Sequence, residues 1–131
     1  MVGDAVGKIV KHIPYGKVVS YSQIASYIGI PGGARIVGNS LRNMKDMSIP
    51  WWRVVNNQGR ISLKGNWNVT AGNQRELLRK EGVPVDDNFN LDIVKYRFRP
   101  DESLLKEWGL DKEIGLFLYK KYGIGEIAAG S

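Results

Sequence analysis

Val2, Ala5, Val6, Ile9, Val10 and Ile13 recur at helical spacing and form one apolar stripe, which predicts an amphipathic helix over the first dozen residues. Pro14 and Gly16 end it. After a short extended piece at Val18-Val19, Ser20 with Gln23 three residues on reads as a capping box opening a second helix, whose apolar residues are Ile24, Ala25, Tyr27 and Ile28. Gly29 is placed to cap that helix, and Pro31-Gly32-Gly33 turns the chain into a third helix from Ala34 to Met44. Helix, glycine-containing turn and helix together form a helix-turn-helix signature.

The third helix sorts into two faces. Ile36, Val37, Ser40, Leu41 and Met44 are expected to pack inward, leaving Arg35, Gly38, Asn39 and Arg42 on the other side. Gly38 lowers helix propensity by about 1 kcal/mol relative to Ala, a cost that makes sense where another backbone must come close. An ordinary solvated basic face with an incidental glycine is the plainer alternative. Further on, Ile49 to Val55 runs through the Asn56-Asn57-Gln58-Gly59 turn into Arg60 to Leu63, which predicts a small hairpin. A fourth helix is expected from Thr70 to Glu81, with Leu77 and Leu78 buried and Gly82 as its cap. Phe89 to Phe98 reads as an extended segment docking back on the core, and Asp101 to Tyr122 as one or two short helices interrupted at Gly109. The predicted fold is mostly α with a small β element, of winged helix-turn-helix type.

A chain of 131 residues, 43% hydrophobic and 24% charged, is long enough for one compact domain that needs no staple or metal to fold. It contains no cysteine, which removes disulfides, thiolate metal sites and any nucleophile or covalent acceptor based on sulfur. With His12 as the sole histidine, a Ser-His-Asp relay or a histidine metal cage has almost no material, and neither cofactor nor metal is expected. No apolar run approaches the roughly 18 residues of a membrane span, and no signal-peptide layout opens the chain, so an intracellular protein of cytoplasm, nucleoid or nucleus is expected.

Charge is unevenly spread. Up to Gly82 there are twelve bases and four acids, a net +8, while beyond it seven bases meet nine acids. A basic body with a slightly acidic tail points to a polyanionic partner for the body, although a basic surface kept for solubility would give the same total.

Ile13-Pro14-Tyr15-Gly16-Lys17-Val18-Val19-Ser20-Tyr21-Ser22-Gln23-Ile24-Ala25, then Ala34-Arg35-Ile36-Val37-Gly38, then Ile49-Pro50-Trp51-Trp52-Arg53-Val54-Val55, with the closing Leu77-Leu78-Arg79-Lys80-Glu81-Gly82, resembles the DNA-binding domain of the O6-alkylguanine-DNA alkyltransferases. Several ordered motifs together are more specific than any one of them. The likeness covers about the first 95 residues, so residues 1–95 are expected to form that domain and 96–131 a helical extension packed on it. The departure lies at the reactive centre. Where the repair enzymes carry Pro-Cys-His-Arg-Val, this chain has Pro50-Trp51-Trp52-Arg53-Val54, which resembles the alkyltransferase-like branch with tryptophan in place of the acceptor cysteine.

The resemblance implies a role for each matching residue. Arg35 corresponds to an arginine finger that enters the minor groove and fills the gap left by an extruded guanine, where a flat guanidinium can stack and donate. Tyr21 corresponds to the tyrosine that presses on the phosphate 3′ to the lesion. Gly38, Asn39 and Arg42 complete the DNA-contacting set. The lesion pocket would be formed by Tyr21, Trp51, Arg53, Val54 and Lys64, with Trp51 at its floor, the backbone around Val54 on the guanine edge and Lys64 near the lid. Trp52 is expected to point into the domain, opposite to Trp51, and Glu81, which orients the histidine in the enzymes, to be structural. The implied function is non-enzymatic recognition of O6-alkylguanine in duplex DNA by a monomer that flips the base and flags it, with nucleotide excision repair proteins as downstream partners. A helix-turn-helix regulator reading sequence in the major groove is the alternative.

Overall fold

A computed structural model describes residues 2–44, 46, 48–61, 71–110, 118 and 120–122. Helix α1 (Val2–Val10) is followed by strand β1 (Val19–Ser20) and the helix-turn-helix pair α2 (Tyr21–Tyr27) and α3 (Ala34–Arg42). A 3-10 turn at Trp51–Arg53 leads into strand β2 (Val54–Val55), then helices α4 (Ala71–Lys80), α5 (Ile93–Tyr96) and α6 (Glu102–Glu107). The architecture is mostly helical with one small sheet, as the apolar pattern predicts. Among the described residues no helix is long and apolar enough to cross a membrane.

Local chemistry explains where the helices begin and end. Ser20 Oγ accepts from the Gln23 N–H at 3.0 Å while Gln23 Oε1 accepts from the Ser20 N–H at 3.2 Å, so the capping box at the head of α2 is complete. Gly82, at φ 83°, lets the Val83 N–H reach back to the Leu78 carbonyl at 3.0 Å and so satisfies the end of α4.

Two apolar clusters form the core, and the sheet divides them. β1 and β2 pair in parallel, Val19 with Val54 and Ser20 with Val55. Alternation along the strands sends Val19 and Val54 to the cluster built on α1, α2 and α3, and Val18 and Val55 to the one around Ile61, Leu78, Val83 and Leu91. Leu105, Leu118 and Tyr122 are buried in the first cluster.

Several expectations change. Ile36 is 49% exposed rather than inward, because α1 and α2 cover α3 only along Val37 and Leu41. That helix also ends at Arg42, short of Met44. Leu77 is half-buried where Leu78 is fully buried. The Gln58-Gly59 turn is present and the Asn56 N–H donates to the Arg60 carbonyl across it at 3.0 Å; Ser62 and Leu63 of the expected hairpin lie outside the described residues, Val54-Val55 pairs with β1, and Arg60 bridges to Asn90. Gly59 sits at φ 81° with no room for a Cβ against the Leu91 carbonyl, and its own carbonyl accepts from the Leu91 N–H at 2.8 Å, so the 89–91 segment lines the outer edge of residues 59–61. Nor is 89–98 extended throughout. Asp92 caps α5 by accepting from the Lys95 N–H at 3.1 Å, and only Arg97 and Phe98 lie alongside Val18.

Candidate nucleic-acid interface

The outer side of α3 carries exposed Arg35, Asn39 and Arg42, with Gly38 half-buried among them. Arg42 Nη1 donates to Asn39 Oδ1 at 3.2 Å, whereas Arg35 makes no hydrogen bond or ion pair among the described residues. A Cβ built on Gly38 would meet only the Tyr21 ring, at 3.9 Å, which is ordinary contact. Nothing among the described residues therefore demands glycine at 38. What its absent side chain clears is the approach from outside, between two arginines. The same distance places Tyr21, at the head of α2, against the centre of this face. Burial raises the pKa of its phenol, opposed by the charge of Arg42, so it stays a neutral hydroxyl. Tyr21, Gly38, Asn39 and Arg42 are thus neighbours, and Arg35 stands exposed on the same helix.

The turn bearing Trp51 is held from beneath by ionic chemistry. Arg53 Nη2 lies 2.8 Å from Glu81 Oε2, its Nε donates to the same carboxylate, and its Nη1 donates to the Ile13 carbonyl at 2.8 Å. Trp52 Nε1 donates to Glu81 Oε2 at 2.7 Å and the Gly16 N–H to Oε1 at 2.9 Å. Burial pushes the Glu81 carboxyl up, but the hydrogen bonds from Arg53, Gly16 and Trp52 and the charge of Arg53 outweigh it and hold the pKa below the usual glutamate value. The expectation that Trp51 and Trp52 face opposite ways as strand residues is corrected. They lie in a 3-10 turn, both half-buried, with rings edge-to-face at 5.9 Å, and Trp52 packs against the second core cluster.

Val54 is buried and its carbonyl accepts from Gln74 Nε2 at 2.9 Å, as does the Trp52 carbonyl at 3.0 Å. Arg53 and Val54 therefore serve to fix the turn that carries Trp51. Lys64 falls outside the described residues. Sequence reasoning missed Gln74, which clasps both carbonyls from α4, and Arg97, a buried arginine whose Nη1 donates to Gln23 Oε1 at 2.8 Å. A polar residue on a polar helix face carries no signal that it points inward.

The profile described as the DNA-binding domain of 6-O-methylguanine DNA methyltransferase matches residues 2–83. The chain belongs to this family. Within the methyltransferase-type domain family, the chain is 41% identical over 93 residues to the DNA base-flipping protein of Vibrio parahaemolyticus, which is 70% of this chain and 90% of that one. It is 37% identical over 95 residues to alkyltransferase-like protein 1 of Schizosaccharomyces pombe, covering 67% and 85% of the two chains. The crystal structure of S. pombe Atl1 in complex with damaged DNA containing O6-carboxymethylguanine superposes with a TM-score of 0.68 at 34% identity, over 76% of this chain and 95% of that one. The methyltransferase-type fold expected from the ordered motifs is thereby shown.

Proposed function

We propose that this protein recognises O6-alkylguanine in duplex DNA without turnover: it binds through the minor groove, rotates the base into a pocket floored by Trp51, and leaves the lesion marked for other repair factors. The observation that carries the reading is the exposed α3 face, where Arg35 and Arg42 flank a glycine whose missing side chain leaves the face open to a close approach, in a chain with no cysteine. The similar proteins named for base flipping, and the Atl1 complex with damaged DNA, support it; none of the relatives described above is named as a sequence-reading regulator. Arg35 fills the gap in the stack, Tyr21 presses on the 3′ phosphate, Asn39 and Arg42 grip the backbone, and Lys64 closes the pocket. Extrusion costs a few kcal/mol and least for a base whose pairing is already damaged, which gives one physical source of lesion preference. Residues 96–131 form an extension on the 1–95 domain, and nucleotide excision repair proteins receive the complex.

The test is binding to one duplex with and without a single O6-methylguanine, across a salt series, with mass spectrometry of the protein. Affinity is expected to fall by about 0.9 log units per log unit of salt for each phosphate neutralised, with the lesion preference surviving. Preference lost together with affinity would refute the pocket, and a methylated protein would refute the non-enzymatic assignment.

Trp51→Cys alone is expected to transfer no alkyl group, because a thiol of pKa about 8.5 is only a few per cent thiolate at neutral pH unless a neighbour takes its proton. Trp51→Cys combined with Trp52→His places an imidazole where the indole N–H now meets Glu81 at 2.7 Å, and that double variant is the one expected to accept a methyl group. Single-turnover assays with labelled DNA check this; rapid transfer by Trp51→Cys alone would contradict it. Folding of the double variant must be confirmed first, since Trp52 packs on the second core cluster and loss of an indole can cost about 3 kcal/mol.

A further inference from the structure

We propose that Arg97 is a positioning residue for Tyr21: a guanidinium supplied from beyond the family-matched residues 2–83 that holds the head of α2 where base extrusion needs it. The proposal rests on the role given to Tyr21 above. Its basis is the hydrogen bonding of Gln23, which is completely buried. Gln23 Oε1 accepts from the Ser20 N–H at 3.2 Å and from Arg97 Nη1 at 2.8 Å, while Nε2 donates to the Tyr27 hydroxyl at 2.6 Å and the Phe98 carbonyl at 2.8 Å.

An amide can sit either way round, and its two neighbours after α5 help decide which. Arginine only donates and a carbonyl only accepts, so consecutive residues Arg97 and Phe98 force the oxygen of Gln23 toward Ser20 and its nitrogen away. The opposite orientation would set an NH2 group against both the guanidinium and the Ser20 N–H. Ser20 is the N-cap of α2 and Tyr21 its first helical residue, so the amide so oriented closes the turn from which the Tyr21 ring reaches Gly38. Backbone pairing reinforces the link: the Phe98 N–H donates to the Val18 carbonyl at 2.7 Å, at the start of the strand leading into Ser20.

Arg97 is an expensive residue for mere filling. It is 8% exposed, stacks over the Tyr122 ring at 4.7 Å, and forms no ion pair with a carboxylate among the described residues. Burial lowers its pKa, with Tyr122 opposing the shift. A neutral apolar side chain would occupy the space at lower cost, but it would take from Gln23 Oε1 the shorter of its two donors and leave the amide less firmly held.

The experiment places 2-aminopurine beside an O6-methylguanine in a duplex and reads fluorescence at saturating protein for the full chain, Tyr21→Phe, Arg97→Met, Arg97→Lys, and each Arg97 change combined with Tyr21→Phe. Arg97→Lys keeps a cation in the buried site but trades the planar guanidinium fork for a flexible ammonium that holds its acceptor less firmly, so it carries the test if Arg97→Met does not fold by circular dichroism. The extrusion equilibrium is expected to fall roughly fivefold in Arg97→Met and about twofold in Arg97→Lys, with plain-duplex affinity unchanged, and to fall no further in either when Tyr21 is already phenylalanine. Folded Arg97 variants that brighten the probe as well as the native chain overturn the proposal, as does an Arg97 effect of the same size in the Tyr21→Phe background. A native chain that leaves the probe dim overturns the base-extrusion reading itself, and this assignment with it.

Discussion

Arg35→Ala is expected to abolish base extrusion while leaving the fold untouched. The side chain is exposed in the first turn of α3, and α3 is held by Val37 and Leu41 on its other side. Alanine is the better helix former, so stability should stay within about 0.5 kcal/mol of the native value. The loss falls on the DNA. An extruded guanine leaves an unstacked gap and an unpaired cytosine, a state a few kcal/mol above the closed duplex unless something fills it. The guanidinium offers a flat face for stacking and fixed donors for the orphaned base, and a methyl group offers neither. Since about 1.4 kcal/mol is a factor of ten, removing the finger should reduce the extruded fraction at least roughly tenfold. A 2-aminopurine next to the lesion should brighten with the native protein and stay dim with the variant. Binding to plain duplex should weaken as well, because Arg35 also contributes charge. Arg35→Lys keeps that charge without the flat stacking group, so it is expected to recover plain-duplex affinity but not fluorescence. Equal brightness for native protein and Arg35→Ala would rule out the finger.

What could be read without a structure was what depends on local spacing. The Ser20–Gln23 capping box, the αL glycines after α2 and α4, and the i, i+3, i+4, i+7 face of α3 are encoded within a few residues of one another. The misreadings lie where the choice of partner is tertiary. Val54 and Val55 pair in parallel with β1, a partner far back in the chain that the neighbouring Gly59 turn gives no sign of, between the two core clusters. Ile36 looked inward by periodicity, but only one stripe of α3 is covered. Gln74, Arg97 and the Glu81 network join positions up to 74 residues apart through polar side chains, whose burial leaves no periodic trace. The resemblance supplied Glu81 as a residue of interest; only the geometry shows that the indole of Trp52 and the guanidinium of Arg53 both engage it.

Glu81→Gln is expected to destabilise the protein by about 3 kcal/mol, the lower end of the usual cost of breaking a buried ion pair. The carboxylate accepts from four N–H groups, at Gly16 N, Trp52 Nε1, Arg53 Nε and Arg53 Nη2. An amide keeps one acceptor oxygen and turns an NH2 toward donors on the other side. It also leaves the Arg53 guanidinium, whose side chain is 14% exposed, without its counter-charge. The damage is structural in a particular place, since Gly16 belongs to the turn after α1, Trp52 and Arg53 to the turn that carries Trp51, and residue 81 to the end of α4. For a domain of this size a loss of 3 kcal/mol corresponds to a fall in Tm of roughly 10 °C. The pH dependence follows from the depressed pKa of Glu81. A carboxyl held low in the folded state contributes fully above its unfolded pKa of about 4.3, and that contribution is lost as pH falls through the folded value. The difference in Tm between native protein and Glu81→Gln should therefore be constant above about pH 5 and shrink as the solution is acidified below about pH 4. Asp46, held low chiefly by Ser48, is present in both proteins and cancels from the difference. Thermal melts of the two proteins at matched ionic strength between pH 3 and pH 7 make the comparison. A Tm difference that stays the same down to pH 3, or a variant as stable as the native chain at pH 7, would mean that the Arg53–Glu81 contact does not hold the turn beneath Trp51.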